Sequence, residues 1–339
     1  MSTWLFSDYL DAVAPHLPPA VLAPDQMAIM REQLTAIPGH LTRSFLFECR
    51  LDANEAQVDV EFIVDRQRQQ LLSACDTTLF EHPIWQRVRQ FAQLWADPNH
   101  PALASVSHIW LGFDFDTVAQ LPLPVLYICT EHLTKAQIVD LLATLEQPIS
   151  DKFVACLTAA PHAPWMIGVM FARRTEAIRF ILPLPTAQAW PFLTEIGWDA
   201  QDKSAEKFLS QLEKTTAEIG VSLDIGPTIK PRLGLEYLYS RRQTSTVHNW
   251  QQHLTQLCDW GLCSAEKQDA FLQFPGLLHE KQANRHWADA LRSPNGSQQV
   301  SLIERSLSHL KLIITPDQPP TAKGYLHVEH GWLQLPQGA

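Results

Sequence analysis

Five times along the chain, two short runs of strand-forming residues stand close together, and amphipathic stretches with helical spacing fill the gaps between the pairs. The pairs are 44–50 with 58–64, 108–116 with 124–129, 166–172 with 177–182, 222–225 with 232–239, and 309–315 with 322–328. Turn residues bound most of them, such as Asp52 and Asn54 in the first pair and the Pro-rich segment 315–320 in the last. Such close pairs read as antiparallel hairpins. Helices are expected over 82–96 (Ile84, Val88, Phe91, Leu94, Trp95), over 134–145 with Thr134 as N-cap, and over 202–219 closed by Gly220. Others are expected over 245–260 (Trp250, Leu254, Leu257, Trp260) closed by Gly261, over 264–273 opening at Ser264, and over 279–292 and 299–308.

Side chains alternate between the faces of a strand, and here one face is apolar and the other mixed. Val58, Val60, Phe62 and Val64 oppose Asp59 and Glu61; Ile109, Leu111, Phe113 and Phe115 oppose His108, Trp110, Gly112, Asp114 and Asp116. Leu233, Leu235 and Tyr237 oppose Arg232, Gly234 and Glu236. In the last pair, Leu310, Leu312 and Ile314 oppose His309 and Lys311, while Leu326 and Val328 oppose Lys323, Tyr325, His327 and Glu329. The apolar faces need cover, and the amphipathic helices are available to supply it. Two outcomes remain for the mixed faces. An open sheet shows them to water. A sheet closed on itself encloses them, and ten strands leave a lumen wide enough for a ligand.

With 46% hydrophobic and 18% charged residues, 11 Trp and 15 Phe, the 339-residue chain has ample material for a core. Its formal net charge is −10 and it has no basic stripe, which argues against nucleic-acid partners; Arg241-Arg242 is an isolated pair. No run of apolar residues is long enough to span a membrane, and the acid-bearing N-terminus does not read as a secretory signal. Cys49, Cys75, Cys129, Cys156, Cys258 and Cys263 form no C-x-x-C pair, which predicts reduced thiols and a cytoplasmic protein. No linker divides the chain, so one domain over 1–339 is expected.

The helix–strand–strand–helix order repeated five times resembles the αββα, or ABBA, barrel of the soluble aromatic prenyltransferases. Local similarity is greatest in the last hairpin, where a strand ends at Thr315-Pro316 and the next carries Lys323 and Tyr325 in Lys-x-Tyr spacing. The resemblance implies a ten-stranded antiparallel α+β barrel over 44–332, preceded by a helical segment over 1–43 and followed by a tail over 333–339. It also implies transfer of an isoprenoid from an allylic diphosphate to an aromatic small molecule or peptide side chain in secondary metabolism. Carried onto this sequence, Arg50, Arg179, Arg232, Lys311 and Lys323 are candidate diphosphate ligands, because arginine and lysine hold a departing anion. Trp110, Tyr127 and Tyr325 are candidates to shield a carbocation by cation–π attraction. Glu48, Glu61 and Glu236 are candidates to orient the acceptor and take its proton, with Asp59 and Asp114 as further carboxylates. The pattern departs from the family in having only five Tyr and about as many acids as bases on the mixed faces. That balance favours an alternative, a non-catalytic binding or accessory protein holding an apolar or peptide ligand. Magnesium dependence varies across the family and stays open, as does the oligomeric state.

Other signals are weaker. His327, Glu329 and His330 spell H-x-E-H, but on a strand His330 points away from the other two, so they do not form a joint metal site. Asp114 and Asp116 share a strand face that suits Mg²⁺ or an ordinary charged strand end. No P-loop, G-x-S-x-G or dinucleotide fingerprint occurs, and the D-D-x-x-D motif of helical terpene synthases is missing.

Overall fold

The computed structural model describes residues 5–52, 56–74, 78–100, 102–115, 122–173, 175–198, 204–237, 247–281, 287–292 and 299–334. Among them, eleven strands form one antiparallel sheet: β1 Ser44–Arg50, β2 Val58–Asp65, β3 His108–Phe113, β4 Val125–Cys129, β5 Met166–Val169, β6 Ile178–Pro185, β7 Glu218–Ile225, β8 Ile229–Tyr237, β9 Gly276–His279, β10 Gln299–Ile314 and β11 Thr321–Gln334. The order runs β11-β1-β2-β3-β4-β5-β6-β7-β8-β10, and β10 pairs back onto β11, so ten strands close into a barrel. β9 lies outside that ring and pairs only with the first half of β10. Closure settles the choice left by alternation, and the mixed strand faces line a lumen.

Ten helices are described: α1 Phe6–Val13, α2 Pro24–Leu34, α3 Gln69–Ala74, α4 Pro83–Ala96, α5 Lys135–Thr144, α6 Asp151–Ala159, α7 Thr186–Glu195, α8 Ser204–Leu212, α9 Val247–Asp259 and α10 Ala265–Gln273. They cover the apolar outer faces. Phe6 of α1 packs on Phe45 and Phe62, Trp85 of α4 on Phe113, and Phe153 of α6 on Phe180. Thr134 caps α5 in a capping box with Gln137, and Ser264 caps α10 through the Lys267 N–H. Gly261, at φ +72°, ends α9 in the left-handed region that glycine enters without strain. Trp250, Leu254 and Leu257 are buried core, as their spacing predicts.

Three helical expectations fail. The helix expected over 202–219 stops at Leu212, where the N–H groups of Thr215 and Thr216 turn back onto the Leu212 carbonyl. Residues 218–221 instead join β7, and Gly220, expected as a helix cap, sits in the ladder opposite Pro183 and Glu236. Segment 299–308 has helix-like spacing but is strand, because β11 runs beside it as far as Gln334 and pairs with Gln299 to Leu307, while β9 pairs with Leu302 to Arg305 on the other edge. Of 279–292, His279 ends β9 and Asp289–Leu291 form a single 3-10 turn. Long-range pairing overrides local periodicity in each case. Cys75, Asp116, Leu238, Tyr239, Arg241 and Arg242 lie outside the described residues.

Candidate active site

Register brings the polar side chains together. Glu48 of β1 stands opposite Asp59 of β2 on one side and Tyr325 of β11 on the other. Leu46 pairs with Glu61, Trp110 with Tyr127, Arg179 with Asp224, and Glu236 with Lys311. The lumen has two compartments. The larger, about 240 Å³, is lined by Trp110, Trp165, Met166, Ile63, Ile181, His108, His309 and His327 among others. The smaller, about 30 Å³, lies toward the β1–β2 and β5–β6 turns and is lined by Asp59, Asp114, Arg173, Arg232 and Lys323. Glu48, Glu61, Tyr127, Arg179, Lys311 and Tyr325 border both, forming the waist between them.

Two glycines shape that waist. A Cβ on Gly168 would sit 2.7 Å from the Tyr127 ring, and one on Gly112 would sit 3.2 Å from it. Tyr127 therefore lies in a slot between β3 and β5, its hydroxyl accepting a hydrogen bond from Arg179 Nη1 at 3.3 Å. Across the lumen, the Tyr325 ring stacks on His309 with centroids 3.8 Å apart, and its hydroxyl donates to Glu48 Oε2 at 2.6 Å.

The charges are largely paired. Arg179 grips Asp224 through Nε and Nη2 at 2.7 and 2.8 Å, and Arg173 grips Asp114 at 2.9 Å on both oxygens. Lys311 donates to Glu236 at 2.7 Å, Lys323 donates to Glu48, and Asp59 lies 3.9 Å from both Lys323 and Arg50. Arg232 makes no ion pair among the described residues and lines the small compartment; burial and the nearby Arg179 charge lower its pKa. Burial opposes ionisation of Glu48, yet Lys323 and Lys311, with hydrogen bonds from Lys323 and Tyr325, hold its carboxyl well below the usual range. Glu61 goes the other way. Burial, followed by the charges of Glu48 and Glu236, pushes it up to about 8 despite Lys311. Burial and the Glu48 charge push Asp59 up to about 6, and burial takes His309 down to about 4.

Of the residues singled out in the sequence, Glu48, Glu61, Glu236, Arg179, Arg232, Lys311, Lys323, Trp110, Tyr127 and Tyr325 line the lumen. Arg50 lies beside Asp59 but outside the walls of both compartments. Two important groups were missed. Asp224 was signalled by its alternation with Leu223 and Ile225, while Arg173 sits in the β5–β6 turn, where strand parity gives no warning. His327 and His330 lie on opposite faces; His330 is bonded to Tyr9 at 3.0 Å and Ser301 at 2.8 Å beneath α1. Among the described residues no group of three His, Cys, Asp or Glu side chains is disposed to share a metal ion, and Asp114 is already held by Arg173. Among the described residues, which do not include Asp116, the donor set does not fit Mg²⁺.

A closed ten-stranded antiparallel barrel with helices outside and ionic groups inside is the αββα barrel of the aromatic prenyltransferases. Among solved structures the chain is similar to the prenyltransferase PriB in its apo form, at 12% identity over 96% of each chain with a TM-score of 0.57. It is also similar to PriB in its binary complex with product diphosphate, at 12% identity over 96% of each chain and a TM-score of 0.56. The 5-dimethylallyltryptophan synthase from Streptomyces coelicolor matches at 13% identity, 96% of this chain and 98% of that one, with a TM-score of 0.50. No protein-family model and no curated protein matches the sequence.

Proposed function

We propose that the barrel transfers an allylic group from its diphosphate to an aromatic acceptor. The observation that carries this reading is the waist, where Arg179 and Lys311, with Arg232 and Lys323 just beyond, meet Glu61, a buried carboxyl with no ion-pair or hydrogen-bond partner among the described residues, beside the Tyr127 and Tyr325 rings. The allylic C–O bond breaks with its electron pair leaving on diphosphate, which the small compartment's cations receive. Tyr127, Tyr325 and Trp110 shield the allylic cation and keep water from it. The acceptor ring, in the larger compartment, attacks the cation, and the ring proton passes to the fraction of Glu61 that is ionised, which grows as pH rises toward and past 8. Structures of PriB with product diphosphate, and with L-tryptophan and dimethylallyl thiolodiphosphate, support the reading by analogy of fold.

The direct test incubates the protein with dimethylallyl or geranyl diphosphate and a panel of aromatic acceptors, L-tryptophan first, and follows products by mass spectrometry. Absence of any product, together with no heat of binding for either diphosphate, counts decisively against it.

The second reading, a non-catalytic binding protein, draws on the pairing of Lys311, Lys323, Arg173 and Arg179 with carboxylates. It predicts a co-purifying ligand and no turnover.

A further inference from the structure

Among the described residues one lysine faces the larger compartment. Lys323 lines the smaller compartment alone, whereas Lys311 lines both. On β10, Lys311 stands between Glu236 of β8 and Lys323 of β11, its directly opposed neighbours. Its side chain lies across Gly234, where a Cβ would come 2.7 Å from Lys311 Cε. From there the ammonium donates to Glu236 Oε1 at 2.7 Å and to Ser222 Oγ at 3.4 Å.

These surroundings favour an amine nucleophile. A lysine attacks a carbonyl only in its neutral form, which burial and neighbouring cations promote. Lys311 has both. Its side chain is 8% exposed, Lys323 stands in register beside it, and Arg179 and Arg232 add positive charge against Glu236 and Glu48. Burial lowers its pKa by more than Glu236 restores. The compartment it faces is otherwise apolar and aromatic, walled by Trp110, Trp165, Ile63 and Ile181, with the Tyr127 and Tyr325 rings at the waist. Its volume, about 240 Å³, exceeds the roughly 150 Å³ in which an engineered protein cavity holds benzene, so a ring with a short conjugated chain fits.

We propose that Lys311 forms an imine with an apolar, conjugated aldehyde held in the larger compartment. Glu236 first takes one proton from the ammonium. The nitrogen lone pair then bonds to the carbonyl carbon, the C=O π pair moves to oxygen, and a second proton passes from nitrogen to that oxygen. Glu236 returns its proton to the resulting hydroxyl, the C–O bond breaks, and water leaves as the nitrogen lone pair closes the C=N bond. No electrons are gained or lost overall, and a cationic iminium remains beside the Glu236 carboxylate. One carboxylate therefore serves as proton carrier and as counter-ion. The aromatic walls favour a delocalised cation, and a conjugated aldehyde supplies one. This chemistry needs no allylic diphosphate and stands apart from the transfer proposed above.

The test incubates the full chain with cinnamaldehyde and sodium cyanoborohydride, then maps the modified peptides by mass spectrometry. The peptide carrying Lys311 is expected to gain the mass of the aldehyde less one oxygen, the signature of a reduced imine; addition to a thiol would gain the whole aldehyde. Without reductant, a red-shifted band of the protonated imine should appear, and Glu236→Gln, which removes its counter-ion, should lose that band at about pH 8. Glyceraldehyde, which is polar, should label Lys311 about tenfold more slowly than cinnamaldehyde. Lys311→Met alone strands Glu236, so Lys311→Met with Glu236→Gln supplies a neutral pair of similar shape; thermal melts check its folding, and it should retain only slow labelling of exposed lysines. Labelling of Lys311 no faster than that of the exposed Lys214 and Lys230 overturns the proposal. So does glyceraldehyde labelling Lys311 as fast as cinnamaldehyde. An imine at Lys311 in a protein that transfers no allylic group supports the proposal and counts only against the transferase reading.

Discussion

Lys311 and Lys323 stand directly opposite each other across the β10–β11 ladder, and each turns its ammonium to a carboxylate on the strand beyond, Lys311 to Glu236 on β8 and Lys323 to Glu48 on β1. Two like charges in register repel. The flanking glutamates offset that repulsion, and the result is a row with two central cations and a carboxylate at each end, across four of the ten barrel strands.

That row has a stability consequence. Lys323→Met leaves the Glu48 carboxylate desolvated without its cation and is expected to cost about 3 kcal/mol in urea unfolding. Adding Glu48→Gln should recover most of the loss, because a neutral pair of similar shape needs no counter-charge. Equal losses in the single and double variants would show that the pair does not interact.

The cations should divide into two classes. Arg179→Ala strands Asp224 and is expected to lower stability by about 3 kcal/mol. Arg232 has no ion-pair partner to strand among the described residues, so Arg232→Ala should leave the melting temperature nearly unchanged while weakening pyrophosphate binding about tenfold in calorimetry. Unaltered pyrophosphate affinity in Arg232→Ala would remove this residue from the anion site.

Protonation of the lumen should govern anion binding. Asp59 titrates at about 6 and Glu61 at about 8, so both become negative as pH rises from 5.5 to 8.5. Pyrophosphate affinity should fall across that window, with proton uptake on binding, and the fall should be shallower in Glu61→Gln. For stability the sign follows from the same shifts. Both carboxyls titrate higher when folded than when unfolded, so their contribution is full below about pH 4 and is lost as pH rises through 6 and then 8. Glu48 works oppositely, stabilising above its unfolded pKa and losing that contribution as pH falls toward its depressed folded value. If the Glu61→Gln protein keeps the wild-type pH slope, Glu61 is not the group responsible.

Tyr127 depends on the absence of side chains beside it. Gly168→Ala would bring a Cβ within 2.7 Å of the ring and 2.9 Å of the Met170 methyl, in a waist with little room to yield. A destabilisation of about 1–3 kcal/mol is expected, with displacement of the phenol from Arg179. A melting temperature matching wild type would mean the ring moves freely and does not define the waist.

Much of this molecule was legible before its structure. The alternation in β2, β3, β8, β10 and β11 identified many of the lumen side chains, because a strand's two-residue period does not depend on its partners. Thr134, Ser264 and Gly261 declared helix ends through local hydrogen bonding and backbone freedom. What failed was segment 299–308 and the end of α8, where spacing fitted a helix and a distant strand decided otherwise.

The sequence by itself determined which side chains share a face of each strand and that helices must cover the apolar ones, since both follow from local geometry and the burial of apolar surface. Only the tertiary structure decided that the sheet closes, that Glu61 has no partner among the described residues while Glu48 holds two, and that the last hairpin runs on past the barrel. Those outcomes depend on register between residues hundreds of positions apart, and no local pattern encodes the depth or charge of the place where a side chain comes to rest.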